Sequence, residues 1–173
     1  FLHCASGGRT SRCWSSTSFA ATRRPTVGRG RSNRARGRRA PLAYVLGRQP
    51  FLDLSIEVDR RSLIPRPETE ELVLECARLI EATPAPRIVE IGTGTGCVAI
   101  ALARLLPEAA VVATDVSGKA LALARKNALA HDVSRRIRFV REDLFSGRSA
   151  SRGRADLLVS NPPYIPTEDL DAL

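Results

Sequence analysis

Asn161-Pro162-Pro163-Tyr164 combines residue types that together could hold a planar NH₂ group. Asn161 has a side-chain carbonyl acceptor, and Pro162 has a backbone carbonyl with no amide hydrogen of its own to compete. Pro162 and Pro163 stiffen the segment, so both acceptors are held ready before anything binds. Tyr164 adds a flat aromatic face for an amide or a base, and a π surface for a nearby cation. Accepting both N–H bonds would align the nitrogen lone pair and stabilise positive charge developing on that nitrogen. The plainer alternative is a proline-rich turn after a strand, since Asn-Pro favours turns.

A second stretch, Glu90-Ile91-Gly92-Thr93-Gly94-Thr95-Gly96, lies between a predicted buried strand and a predicted buried helix. Its glycines permit tight turning and close approach of a ligand to the backbone, and the first amides of the next helix are free to point at it. Asp115 ends the following strand, where a carboxylate can accept both hydroxyls of a ribose. Asp143 follows the third strand and could accept from an adenine amine, with Leu144 packing on the base. Two cofactors fit this frame. Gly94-Thr95-Gly96-Cys97-Val98-Ala99 satisfies a relaxed dinucleotide pattern for NAD, whereas alternating glycines after an acid suit S-adenosylmethionine, which has no pyrophosphate. A glycine-rich turn without ligand is the remaining reading. An NH₂ receptor beside S-adenosylmethionine would perform an in-line methyl displacement, with no covalent enzyme intermediate and no metal.

These residues need a scaffold, and periodicity predicts one. Leu54, Ile56 and Val58 alternate with polar residues as in a half-buried strand, with Phe51 and Leu52 in its hairpin partner. Pro67 suits the start of a helix over Glu68–Glu81, whose apolar stripe is Leu72, Val73, Cys76, Leu79 and Ile80. Further along come a strand at Arg87–Ile91, a nearly all-apolar helix at Cys97–Leu106 and a strand at Ala109–Asp115. A helix at Ala120–Ala130 capped by Ser117 follows, then strands at Arg136–Val140 and Ala155–Asn161. That succession predicts an α/β fold with parallel strands and helices on the faces of the sheet.

The composition points away from other classes. The chain of 173 residues has 27 basic and 18 acidic side chains, a net charge of +9. Ten of the basic residues, all Arg, lie in residues 1–40 without one acidic residue, leaving 17 basic against 18 acidic in residues 41–173. The basicity therefore belongs to a tail, expected to be disordered, artefactual or a transit segment, and direct nucleic-acid binding by the folded part is not expected. No apolar run reaches the roughly 18 residues of a membrane helix. The four Cys lack metal-site spacing, so neither a metal nor a disulfide framework is expected. Cys76 and Cys97 are expected in the core. The chain starts with Phe1 and stops soon after a strand, and is expected to be a fragment.

With "NPPY" after the fourth strand and "EIGTGTG" after the first, the sequence resembles the amino-methyltransferases that use S-adenosylmethionine. "PLAYVLG", "LIPRPETEELV" and "RIRFVREDLF" narrow the resemblance to the HemK/PrmC family, over about residues 41–173. The resemblance implies a Rossmann-like class I methyltransferase sheet preceded by a β-hairpin, and methylation of the glutamine in the GGQ motif of class 1 peptide chain release factors. It further implies that Gly92, Thr93, Gly94, Thr95, Gly96 and Asp115 hold the cofactor, with Asp143 and Leu144 flanking its adenine. Asn161, Pro162, Pro163 and Tyr164 would receive the substrate glutamine, Asn161 also lying against the cofactor, and Arg66–Glu70 would line the mouth of the site. The expected organisation is a tail over 1–40, a hairpin linker over 41–65 and the first part of the methyltransferase domain over 66–173, with about four of seven strands. Departures from the family pattern are Glu90 for the frequent Asp, Pro50 for the usual Glu, and no recognisable helical domain in residues 1–40. A cytoplasmic monomer is expected, or a mitochondrial protein if the tail is a transit peptide. Alternatives left open are methylation of an exocyclic base amine in DNA or RNA, an NAD-dependent dehydrogenase, and a basic interaction module built on the tail.

Overall fold

The computed structural model describes residues 40–143 and 154–162. A five-residue helix, α1 (Leu42–Leu46), stops at Gly47, which takes a left-handed φ of 70°. Strands β1 (Arg48–Phe51) and β2 (Leu54–Glu57) then pair antiparallel around the turn at Leu52-Asp53. The expected alternation holds: Leu54, Ile56 and Val58 are buried beside Phe51, while Ser55 is exposed. Leu52 sits in the turn rather than in the partner strand, with a φ of 50°.

Helix α2 (Pro67–Ile80) has Pro67 in its first turn together with Glu68 and Glu70, which favour the positive helix start. Its buried stripe is Thr69, Val73, Cys76 and Ile80. Leu79, expected in that stripe, is 49% exposed, because the stripe follows one narrow line at steps of three and four residues. Helix α3 (Cys97–Leu105) buries seven consecutive residues, Cys97–Ala103. It can do so because α2 packs on one flank, α4 (Gly118–Ala130) on the other, and the sheet beneath. Helix α4 begins two residues before the expected start, and the Ser117 hydroxyl accepts from the Ala120 amide at 3.2 Å.

Four parallel strands form the sheet: β3 (Arg87–Ile91), β4 (Ala110–Asp115), β5 (Ile137–Arg141) and β6 (Leu157–Ser160), in the order β5-β4-β3-β6. The chain moves outward from β3 through β4 to β5, then returns to the opposite side of β3. That reversal creates a switch point, and in open α/β sheets ligands bind at the carboxyl ends of the strands beside it. No helix among the described residues is long and apolar enough to cross a membrane.

Candidate active site

Parallel register brings the singled-out residues to one edge of the sheet. Ile91 lies opposite both Thr114 and Ser160, and Asp115 lies opposite Arg141. The segments that leave the carboxyl ends therefore stand in the order Asp143, Asp115, Gly92–Gly96, Asn161. Neighbouring strands lie about 4.8 Å apart, so the row is roughly 14 Å long. Hydrogen bonds fasten it across the strands. The Gly92 and Thr93 amides both donate to the Thr114 carbonyl at 2.9 Å, the Glu142 amide to the Asp115 carbonyl at 3.1 Å, and the Ser160 hydroxyl to the Ile91 carbonyl at 3.0 Å.

The three glycines of the loop have left-handed φ values, 75° at Gly92, 55° at Gly94 and 83° at Gly96, which few other residues tolerate. Their surroundings differ. A Cβ on Gly92 would meet nothing within 4 Å, so its missing side chain leaves room on the open side of the loop. On Gly94 it would lie 2.7 Å from the Ser62 Oγ, and on Gly96 it would lie 3.0 Å from the Ala124 Cβ. From sequence, all three were expected to allow both tight turning and close approach of a ligand. Gly92 faces open space, whereas Gly94 lies against Ser62 and Gly96 lets α3 start against α4.

Two acidic side chains hold the loop. Asp115 accepts from the Gly94 amide at 2.9 Å through one oxygen and from the Ser117 amide at 2.8 Å through the other. A carboxylate has about four acceptor sites, so two bonds leave capacity for further donors. Glu90 is buried at 3% exposure and accepts from the Thr93 hydroxyl at 2.6 Å and from the Ala99 amide. Burial pushes its carboxyl up to about 7, the Asp115 charge adding to the rise while its two donors oppose it. Glu90 thus uses its length inward, to cap the start of α3 and to hold Thr93. Burial likewise pushes the Cys97 thiol up to about 12 and that of Cys76 to about 11, which makes both packing residues, as expected.

Asn161 and Pro162 lie exposed just beyond β6. The Asn161 Nδ2 donates to the Thr69 hydroxyl oxygen at 2.8 Å, linking the "NPPY" segment to "RPETE" across 92 positions of sequence. Asp143 lies two residues beyond β5 and is engaged rather than free. Leu144, Pro163 and Tyr164 lie outside the described residues.

Thr69 belongs to the Arg66–Glu70 segment expected at the mouth of the site, without a partner assigned to it, and Asn127 was not singled out from sequence. Thr69 reads as an ordinary helix start, and nothing in its spacing points to Asn161. Asn127 is 2% exposed on α4; its Oδ1 accepts from the Glu57 amide at 2.9 Å, and its Nδ2 donates to the carbonyls of Glu57 at 3.0 Å and Thr95 at 2.9 Å. An Asn amid Ala and Leu in a helix was the available signal, because Asn is a weak helix former there.

Comparison with known proteins adds family evidence to this geometry. A family model described as the methyltransferase small domain matches residues 71–172. The chain is 53% identical over 134 residues to the release factor glutamine methyltransferase of Chlorobaculum tepidum, covering 73% of this chain and 45% of that protein. It is 46% identical over 138 residues to the protein of the same name in Geobacter sulfurreducens, covering 80% of this chain and 46% of the relative. The chain thus spans about half the length of the curated relatives it matches. Its fold is similar to the N-terminal domain of human METTL16 solved in complex with SAH, with a TM-score of 0.53 and 26% identity over 66% of this chain and 48% of that chain.

Proposed function

The chain belongs to the methyltransferase small domain family, and from that premise we propose that it methylates the side-chain amide nitrogen of a glutamine, using S-adenosylmethionine. The proposed substrate is the glutamine of the GGQ motif in class 1 peptide chain release factors, acted on in the cytoplasm by a monomer. The names of the relatives support the substrate, and the SAH bound to the METTL16 domain supports the cofactor over NAD.

The residues present fit that cofactor. Gly92 borders open space at the switch point, and Asp115 beside it retains acceptor capacity for the two hydroxyls of a ribose. Asp143, at the far end of the row, is proposed to receive the adenine amine, with Leu144 against the ring. Thr93, Gly94, Thr95 and Gly96 shape the loop that carries the remainder. When bound, S-adenosylmethionine supplies a methyl group made electrophilic by its sulfonium sulfur.

The rest is the work of this chain. An amide nitrogen is a poor nucleophile because its lone pair is delocalised into the carbonyl. The Asn161 side-chain oxygen and the Pro162 carbonyl accept its two N–H bonds, turn the lone pair toward the methyl group and stabilise the charge gained as the new N–C bond forms. The proton then leaves the methylated nitrogen for water. Pro163 keeps the pair stiff and Tyr164 supplies the flat face for the amide.

The observation that carries this reading is the β3–β6 register. Ser160 is opposite Ile91 and bonded to it, so Asn161 leaves the sheet beside Gly92. Incubating the chain with methyl-labelled S-adenosylmethionine tests the reading, with a release factor in one arm and DNA or RNA oligonucleotides in another. Label is expected in the GGQ glutamine. Asn161→Ala should lower the rate by about 10²-fold with cofactor affinity nearly unchanged, as for a contact made in the transition state. Label confined to the oligonucleotides, or none in the release factor, overturns the substrate.

A further inference from the structure

We propose that Thr69 is a positioning residue that sets the direction of the Asn161 carboxamide; the inference deepens the amide-methylating role proposed above and rests on it. An Asn side chain has two chemically opposite ends, and rotation about its last bond exchanges them at little cost. Only the oxygen is useful toward an NH₂ group, because the nitrogen end would set donor against donor. Asn161 is exposed just after a strand, where its own segment gives it no burial to choose the rotamer.

In the structure the nitrogen end is turned to Thr69. Its hydroxyl oxygen accepts from the Asn161 Nδ2 at 2.8 Å, which engages the nitrogen end and leaves the carbonyl oxygen for a donor from elsewhere. The residue that carries the hydroxyl is firmly placed. Thr69 is 4% exposed, its amide donates to the Arg66 carbonyl at 3.0 Å, and Val73, Cys76 and Ile80 anchor the following turns of α2 in the core. Helix α2 thus serves as the rigid support for an acceptor on another element. Thr69 touches no reacting atom in this scheme; it acts through Asn161.

The test compares Thr69→Val, which keeps the shape and removes the hydroxyl, with Thr69→Ser, which restores it. With the release factor as substrate, Thr69→Val should lower kcat about tenfold, the size of one hydrogen bond of about 1.4 kcal/mol, and leave the cofactor Kd within about twofold. Thr69→Ser should stay within about threefold of the parent. In an Asn161→Ala background, Thr69→Val should have no further effect on kcat. A second measurement needs no substrate. In ¹⁵N NMR of the full chain, Thr69→Val should shift the Asn161 side-chain NH₂ resonances and speed their exchange with water, and Thr69→Ser should not. Unmoved Asn161 resonances in Thr69→Val, or a kcat loss that persists undiminished in the Asn161→Ala background, overturn the assignment. A parent chain that leaves glutamine unmethylated defeats the substrate reading instead, and the NMR comparison still decides whether Thr69 holds Asn161.

Discussion

A Cβ placed on Gly92 enters open space, whereas one on Gly96 meets Ala124, so the same substitution at the two positions separates ligand binding from folding. Each Ala must adopt a left-handed φ, which costs about 1–2 kcal/mol. Gly96→Ala adds overpacking against α4 and should lose about 2 kcal/mol or more of stability in chemical denaturation. Gly92→Ala should lose only the backbone cost yet weaken S-adenosylmethionine binding by about tenfold or more in a calorimetric titration, because its methyl takes up room on the open side of the loop. Glu90 makes a pH prediction at the same scale. Its folded value of about 7 lies above the ordinary 4.5, so the folded chain holds this proton more tightly than the unfolded one. The contribution to stability is complete below about pH 4.5, declines as pH rises, and is lost above about 7. Denaturation measured from pH 4.5 to 7.5 should show the parent losing stability relative to Glu90→Gln across that window. Parallel curves would mean that Glu90 is not held in this way.

At the scale of elements, one carboxamide joins three of them. Asn127 on α4 pairs with both backbone groups of Glu57, the last residue of β2, and with the Thr95 carbonyl in the glycine loop. The hairpin is thereby connected to the loop at the switch point through a side chain rather than through the sheet. Asn127→Asp keeps the volume but can no longer donate to either carbonyl and places negative charge against both. Loss of two buried hydrogen bonds should cost about 3 kcal/mol in denaturation. Amide exchange at Gly96 and Cys97 should speed with it, since the loop loses its tie to α4. The Lys126–Glu57 ion pair next to it is 2.6 Å long but its lysine is 62% exposed, so it contributes little by comparison.

For the whole molecule, the decisive feature is the segregation of charge. The Arg-rich residues 1–40 carry a charge of +10, and residues 41–173 carry −1. Any strong salt-dependent affinity for RNA should therefore reside in the tail, because such affinity scales with the phosphates neutralised. Deleting residues 1–40 should abolish that affinity in a binding titration at about 50 and 200 mM salt, while the methyl transfer proposed above persists. Salt-sensitive RNA binding that survives the deletion would place a basic surface on the folded part.

How much of this was legible in the sequence depended on the range of the forces involved. The strands, helices α2 to α4 and the parallel α/β class followed from periodicity and end signals within single elements, whereas the short α1 was not read from sequence. The glycine loop and Asn161-Pro162 stood out because their residue types are costly or unusual where they occur. Leu79 was misplaced because a pattern of apolar residues marks a face but not its width, which the packing against α3 and the sheet decides. The different surroundings of Gly92, Gly94 and Gly96 could not be read either, since they depend on Ser62 and Ala124, neighbours from other parts of the chain. The Thr69–Asn161 contact and the role of Asn127 stayed hidden for the same reason: these hydrogen bonds span 92 and as many as 70 residues of chain, and only the folded sheet and its helices bring those partners within 3 Å. Local sequence thus determined which pieces form and which groups could do chemistry. Tertiary structure alone decided which of those groups meet, because a hydrogen bond acts over a few ångströms in space and is blind to separation along the chain.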